Sequence, residues 1–125
     1  MIDFQKDAVF KLKPVDLNSG VSMVQPLLID SETVIMTFQA VRDMVVFTNK
    51  RIITINVQGL TGKKKDYSSL PYAKIQAFSV ETAGNFDLDS EMELWFSGLG
   101  KVKMEFGGSV DIRNICKFIS EFVLK

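Results

Sequence analysis

The sequence predicts a mainly β domain: a seven-stranded antiparallel barrel or pair of orthogonal sheets, capped by one C-terminal helix. Between Thr33 and Phe106, apolar residues recur with period two in short runs divided by turn residues. After Asp111 the period becomes helical, with Ile112, Ile115, Cys116, Ile119, Phe122 and Val123 on one face. The chain has 125 residues, 46% hydrophobic and 24% charged, which suits one domain spanning 1–125 with a substantial core.

Residues 1–30 read as a helical extension. Phe4, Ala8, Leu12 and Val15 are spaced by three and four, predicting a short helix ended at Pro14. Beyond Asn18-Ser19-Gly20, the residues Val21, Met23, Val24, Leu27 and Leu28 predict a second helix, weakened near its end by Pro26.

From Thr33 the period is two. Val34, Met36, Phe38 and Ala40 share one face of the first strand, with Thr33, Thr37 and Gln39 on the other. Arg42-Asp43 turns into Met44–Thr48, and Asn49-Lys50 turns into Arg51–Val57, giving a three-stranded meander. Gly59 and Gly62 bracket a loop before a lysine-rich edge strand that ends at Pro71. Lys74–Thr82 is apolar on both faces through Ile75, Ala77, Phe78 and Val80, predicting cover on each side. The last two strands, Glu91–Ser97 and Lys101–Phe106, flank Gly98-Leu99-Gly100. A three-residue loop there sets Phe96 opposite Val102, Leu94 opposite Met104 and Met92 opposite Phe106. Asp111 is the expected N-cap of the final helix, 111–124.

Composition excludes several classes of function. Fifteen Lys+Arg balance fifteen Asp+Glu, so no whole-molecule charge draws the chain to nucleic acid or an anionic membrane. Histidine is absent, which removes the commonest general base and the usual nucleophile pairs, zinc sites and haem sites. We expect no enzyme, no catalytic or metal-binding residues and no cofactor. The one cysteine, Cys116, cannot form an internal disulfide and lies on the apolar helix face, where it reads as a small core hydrophobe. The acidic N-terminus does not resemble a signal peptide, and no apolar run approaches the roughly 20 residues of a spanning helix. The expected location is cytoplasmic.

Three motifs read as structural. Gly59-Leu60-Thr61-Gly62-Lys63-Lys64 resembles a phosphate loop, but Val57 and Lys64 stand where that motif needs Gly and Ser/Thr. Asn85–Glu91 alternates oxygen ligands as a calcium loop does, yet Ser90 and Phe96 replace the required Gly and Glu. It reads as a solvated loop whose Asp side chains bond local N–H groups. Lys63, Lys64 and Lys65 read first as a device against edge pairing and second as a candidate anion or headgroup contact. Trp95 points away from Leu94 and Phe96, beside Glu91 and Glu93 and opposite Lys103. It is either covered by the N-terminal helices or placed at an interface.

The element order and several local runs resemble the bacterial pleckstrin-homology-like family. The runs are Arg42-Asp43, Phe47-Thr48-Asn49-Lys50-Arg51, Gln58 to Lys64, Pro71-Tyr72, Phe78 to Gly84, Phe86-Asp87-Leu88-Asp89 and Trp95. The resemblance implies a pleckstrin-type barrel without catalytic activity. It also implies protein–protein interaction, with single-domain members assembled into a cyclic homo-oligomer of five-fold symmetry. The basic loop that binds phosphoinositides in eukaryotic relatives is reduced here to Val41-Arg42-Asp43-Met44.

Charge placement suits such an assembly. Val41–Lys74 holds seven bases (Arg42, Lys50, Arg51, Lys63, Lys64, Lys65, Lys74) against two acids, and Ile75–Glu93 holds five acids (Glu81, Asp87, Asp89, Glu91, Glu93) and no base. The candidate interface is therefore Trp95, Asp87, Asp89, Glu91 and Glu93 meeting Arg42, Lys50 and Arg51 of a neighbouring copy. The expected partners are the chain itself and an unidentified protein. Lipid or anionic headgroup binding is the alternative, and membrane contact is not favoured.

Overall fold

The computed structural model describes Met1 and residues 9–124. Its elements, in chain order, are β1 (Val9–Pro14), α1 (Leu17–Val24), β2 (Val34–Ala40), β3 (Asp43–Thr48), β4 (Arg51–Gln58), β5 (Lys64–Pro71), β6 (Ile75–Glu81), β7 (Ser90–Phe96), β8 (Gly100–Phe106) and α2 (Ile112–Val123). Short 3-10 turns at Gln25–Leu27 and Tyr72–Lys74 precede β2 and β6. The chain forms two compact units. Of the described residues, one holds Met1 and Pro14–Pro71, and the other holds Val9–Lys13 and Tyr72–Leu124.

In the first unit, β2 to β5 form an open antiparallel meander. The Asp16 side chain caps α1 by accepting the Asn18 N–H at 2.9 Å. Val24 of α1 joins Val34, Met44, Val46, Ile53 and Ile55 in one apolar cluster. The alternate residues of the same strands, Val45, Phe47 and Ile52, are buried too, and Phe38 meets Phe47 edge-to-face at 5.7 Å. The strands covered on both faces are thus β3 and β4, where Met44–Thr48 and Ile52–Ile55 are buried without a break.

The second unit is an open sheet in which β1 runs parallel to β8, while β8–β7 and β7–β6 are antiparallel. Leu12, Met92, Leu94, Phe96, Val102, Met104 and Phe106 form its buried row. Helix α2, capped by the Asp111 side chain through the Arg113 N–H at 3.1 Å, packs on β6, β7 and the Tyr72–Lys74 turn. It buries Ile112, Ile115 and Ile119.

The mainly β class and the C-terminal helix stand as expected, as do all seven anticipated strands. Several details differ. Instead of a first helix, Val9–Pro14 is an eighth strand, because its N–H and C=O groups find a ladder on β8; residues 2–8 lie outside the described residues. The second helix begins earlier, at Leu17, with Gly20 inside it, and Pro26 sits in the following 3-10 turn.

A bulge between Val34 and Met36 interrupts β2, and Thr37, assigned to the outer face, is buried; Val34 and Phe38 are buried and Ile35 and Gln39 exposed as alternation expects. Strand β6 is not apolar on both faces: a bulge between Ile75 and Ala77 leaves Ala77 and Ser79 exposed, with Phe78 and Val80 half-buried. The β7–β8 loop is Ser97–Leu99, with Gly98 at φ 83°, and Phe96 pairs with Gly100, Leu94 with Val102 and Met92 with Met104. That is a two-residue slide from the expected register, which keeps every side chain on its face because strand alternation has period two.

Candidate functional site

A polar site in the first unit is built around Arg51. Its guanidinium donates to both carboxylate oxygens of Glu32 at 2.9 Å each, to the Leu27 C=O at 2.8 Å and to the Ser69 hydroxyl at 2.9 Å. The Glu32 side chain is fully buried and that of Arg51 is 20% exposed. Glu32 also accepts the Ile29 N–H at 3.1 Å and the Thr48 hydroxyl at 2.7 Å. Burial pushes the Glu32 carboxyl up, but the bonds from Arg51, Thr48 and Ile29 and the Arg51 charge outweigh it and hold the group below the ordinary glutamate value. Next to it, the Thr48 hydroxyl oxygen accepts the Lys50 and Arg51 N–H groups, and Asn49 bonds Thr33 N–H and Ser31 C=O, fastening the Ile29–Thr33 loop. This is a fastening between chain segments. Arg51 is committed within its own unit, whereas Lys50 is exposed.

The remaining basic residues cluster at the turns. Arg42 follows Val41, and its guanidinium donates to the Gly59 C=O, tying the β2–β3 turn to the β4–β5 loop. Val41 and Leu60, at the two tips, are fully exposed. Val41 has φ 41°, an uncommon conformation for a β-branched residue. Lys63, Lys64 and Lys65 continue from this loop with exposed side chains.

In the second unit the acidic candidates split into two groups. Glu93 pairs with Lys101 at 3.0 Å and Glu91 with Lys103 at 3.3 Å across β7 and β8. Their negative charge is matched locally, and the hydrogen bond and charge of Glu91 hold the Lys103 ammonium above its ordinary value. Trp95 lies in the same outward row, beside Ala77 and Lys101, and is 37% exposed.

Asp87 sits in the exposed 82–89 loop, where its carboxylate accepts the Asp89 N–H at 3.1 Å, as expected for an Asp-stabilised turn. Asp89 faces Glu105: burial, then the charge and hydrogen bond of Asp89, then Glu91, push the Glu105 carboxyl up. Among the described residues no group of three carboxylates, Cys or His is placed to hold a metal ion.

Two features were not anticipated from sequence. The Glu32 anchor has no signal there, since a lone acid in Asp30-Ser31-Glu32-Thr33 reads as loop. The other is a groove of about 310 Å³ on α2, lined by Asn114, Lys117, Phe118, Glu121 and Phe122. The signal for it was a second helical stripe, 114, 117, 118, 121 and 122, beside the buried one.

The model for the bacterial PH domain family matches residues 3–123. The uncharacterized protein YjqA of Bacillus subtilis is 47% identical over 96 residues, covering 75% of this chain and 77% of that protein. A crystal structure of a DUF1696 family protein with a pleckstrin-homology domain from Shewanella loihica superposes with a TM-score of 0.80 at 41% identity, covering 91% of this chain and 98% of that one. A pleckstrin homology domain from Shewanella amazonensis gives 0.69 at 43% identity, covering 89% and 90%. Among the described residues no helix is long and apolar enough to cross a membrane.

Proposed function

The chain belongs to the bacterial PH domain family, and from that premise we propose that it is a non-catalytic interaction module that assembles into a cyclic homo-oligomer and presents a polar surface to a protein partner. The carrying observation is the distribution of unmatched charge. Lys50, Lys63, Lys64 and Lys65 are exposed in the first unit, and Glu81 and Asp87 are exposed in the second. Complementary patches of this kind steer one copy onto the next, and a contact between unlike patches is heterologous and closes into a ring when its rotation allows. Trp95 supplies a partly exposed aromatic of the type enriched at the centre of interfaces. With no histidine in the chain, general acid–base chemistry would lack its usual carrier. Light scattering tests the reading: a mass several times 14.1 kDa is expected, and a monomer at micromolar concentration and moderate salt refutes it.

A second reading, binding of a lipid or other anionic headgroup, is favoured by the Val41 and Leu60 tips beside Arg42 and Lys63–Lys65. Pelleting with anionic vesicles at low salt, lost on replacing the three lysines by glutamate, would put this reading first. Absence of pelleting removes it.

A further inference from the structure

Two features of the second unit complement each other. The first is Phe86, at the tip of the 82–89 loop and 103% exposed. The loop presenting it is internally bonded: the Gly84 N–H donates to the Asp87 C=O at 2.7 Å, and the Asp87 carboxylate accepts the Asp89 N–H. A bare phenyl ring held out on a bonded turn, with Leu88 65% exposed beside it, is an apolar knob rather than a slack segment.

The second feature is the groove on α2. Its floor is aromatic, with Phe118 and Phe122 at 4.9 Å and Phe122 stacked on Tyr72 at 5.0 Å. Its lip is polar, formed by exposed Asn114, Lys117 and Glu121. The volume of about 310 Å³ is at the small end for ligand sites and suits a single ring better than an extended ligand.

We infer that Phe86 of one copy seats in the α2 groove of a second copy, with Asp87 against Lys117. The occupant is another copy because this chain carries both halves. A phenyl ring laid onto the floor that Phe118 and Phe122 form together finds the edge-to-face and offset arrangements that aromatic rings prefer. The residue following the knob is an exposed acid, and the groove lip carries an exposed base. Knob and groove are separate parts of the surface, so each copy offers both, one to each neighbour. The inference rests on the self-association proposed above and assigns Asp87 to Lys117 in place of the first-unit lysines.

Sedimentation velocity on the full chain across a concentration series distinguishes the two levels. We expect Phe86→Asp to raise the concentration for half-assembly by at least about tenfold, as loss of a central aromatic anchor does. At a concentration low enough that both are monomeric, its melting curve should match the parent's, because the ring is 103% exposed and buries nothing among the described residues. Asp87→Lys and Lys117→Glu should each weaken assembly about two- to fivefold, and the two combined should recover it. If the parent assembles and Phe86→Asp assembles equally well, the seat is refuted while self-association stands. A parent that stays at 14.1 kDa throughout refutes both, and a charge swap that fails to recover assembly refutes the Asp87–Lys117 pairing.

Discussion

Replacing Glu32 by Ala should be among the most destabilising single changes in the first unit. The substitution removes both charge-assisted bonds to Arg51 and leaves that guanidinium, only 20% exposed, with the Leu27 C=O and the Ser69 hydroxyl as its remaining partners. The Thr48 hydroxyl can turn to the Arg51 C=O at 3.1 Å, so it is not orphaned, but the Ile29 N–H loses its acceptor. Breaking a buried pair by deleting one partner costs about 3–5 kcal/mol, and the lost bond at the Ile29 N–H, on an exposed residue where water can replace the acceptor, about 0.5–1.5 kcal/mol. The terms overlap, so we expect about 3–5 kcal/mol in total, a large share of the roughly 5–15 kcal/mol available to a domain. With a urea slope of about 1–3 kcal/mol/M, the midpoint should fall by more than about 1 M.

The pH dependence has a definite sign. The folded Glu32 value is depressed, so its stabilisation is present above the unfolded value of about 4.3 and is lost as pH falls through the folded value. The stability gap between the parent and Glu32→Gln should therefore narrow as pH falls below about 4.3. Arg51→Met combined with Glu32→Ala should cost less than the sum of the single changes. A Glu32→Ala midpoint within about 0.3 M of the parent, or a gap to Glu32→Gln that is constant from neutral to acid, would refute the account of this pair as the fastening of the Ile29–Thr33 loop.

Three further outcomes follow from the packing. A Cβ at Gly20 would stand 2.1 Å from Thr37 Oγ1, so Gly20→Ala must push α1 off β2; we expect a loss of more than about 2 kcal/mol in chemical denaturation, against a gain of about 1 kcal/mol on helix propensity alone. Deleting the chain after Gly108 removes buried Ile112, Ile115 and Ile119, each worth about 1.5–3 kcal/mol, and should abolish cooperative melting; a truncated chain melting near the parent temperature would contradict this. Glu105 has a folded value raised by burial and by Asp89, so its ionisation opposes folding as pH rises above the unfolded value. Glu105→Gln should raise the melting temperature at pH 7 and have less effect near pH 4, a difference visible in calorimetry.

The sequence by itself determined the local elements. Period-two runs with Asn49-Lys50 and Gly59 to Gly62 at their ends placed the meander, and the six-residue apolar stripe with Asp111 before it placed α2, because each signal lies within a few residues along the chain. The charge pattern, the exposed lysines and the Asp87 turn were equally legible. Only the tertiary structure decided what depends on a distant partner. Val9–Pro14 is a strand because β8, from the far end of the sequence, offers it a ladder; its own short apolar run fits either state. The bulge in β6 turned Phe78 and Val80 to the side that Ile75 occupies before it, since one extra residue inverts the side chains that follow, and in β2 Thr37 is buried against the assigned face. The β7–β8 slide left no trace in patterning because a two-residue shift preserves the faces. Arg51 was read as a surface charge for the same reason. Its fate was set by Glu32, an isolated acid in a loop, and a charge is committed inward only where folding brings an opposite charge and its remaining hydrogen-bond partners to the same buried place.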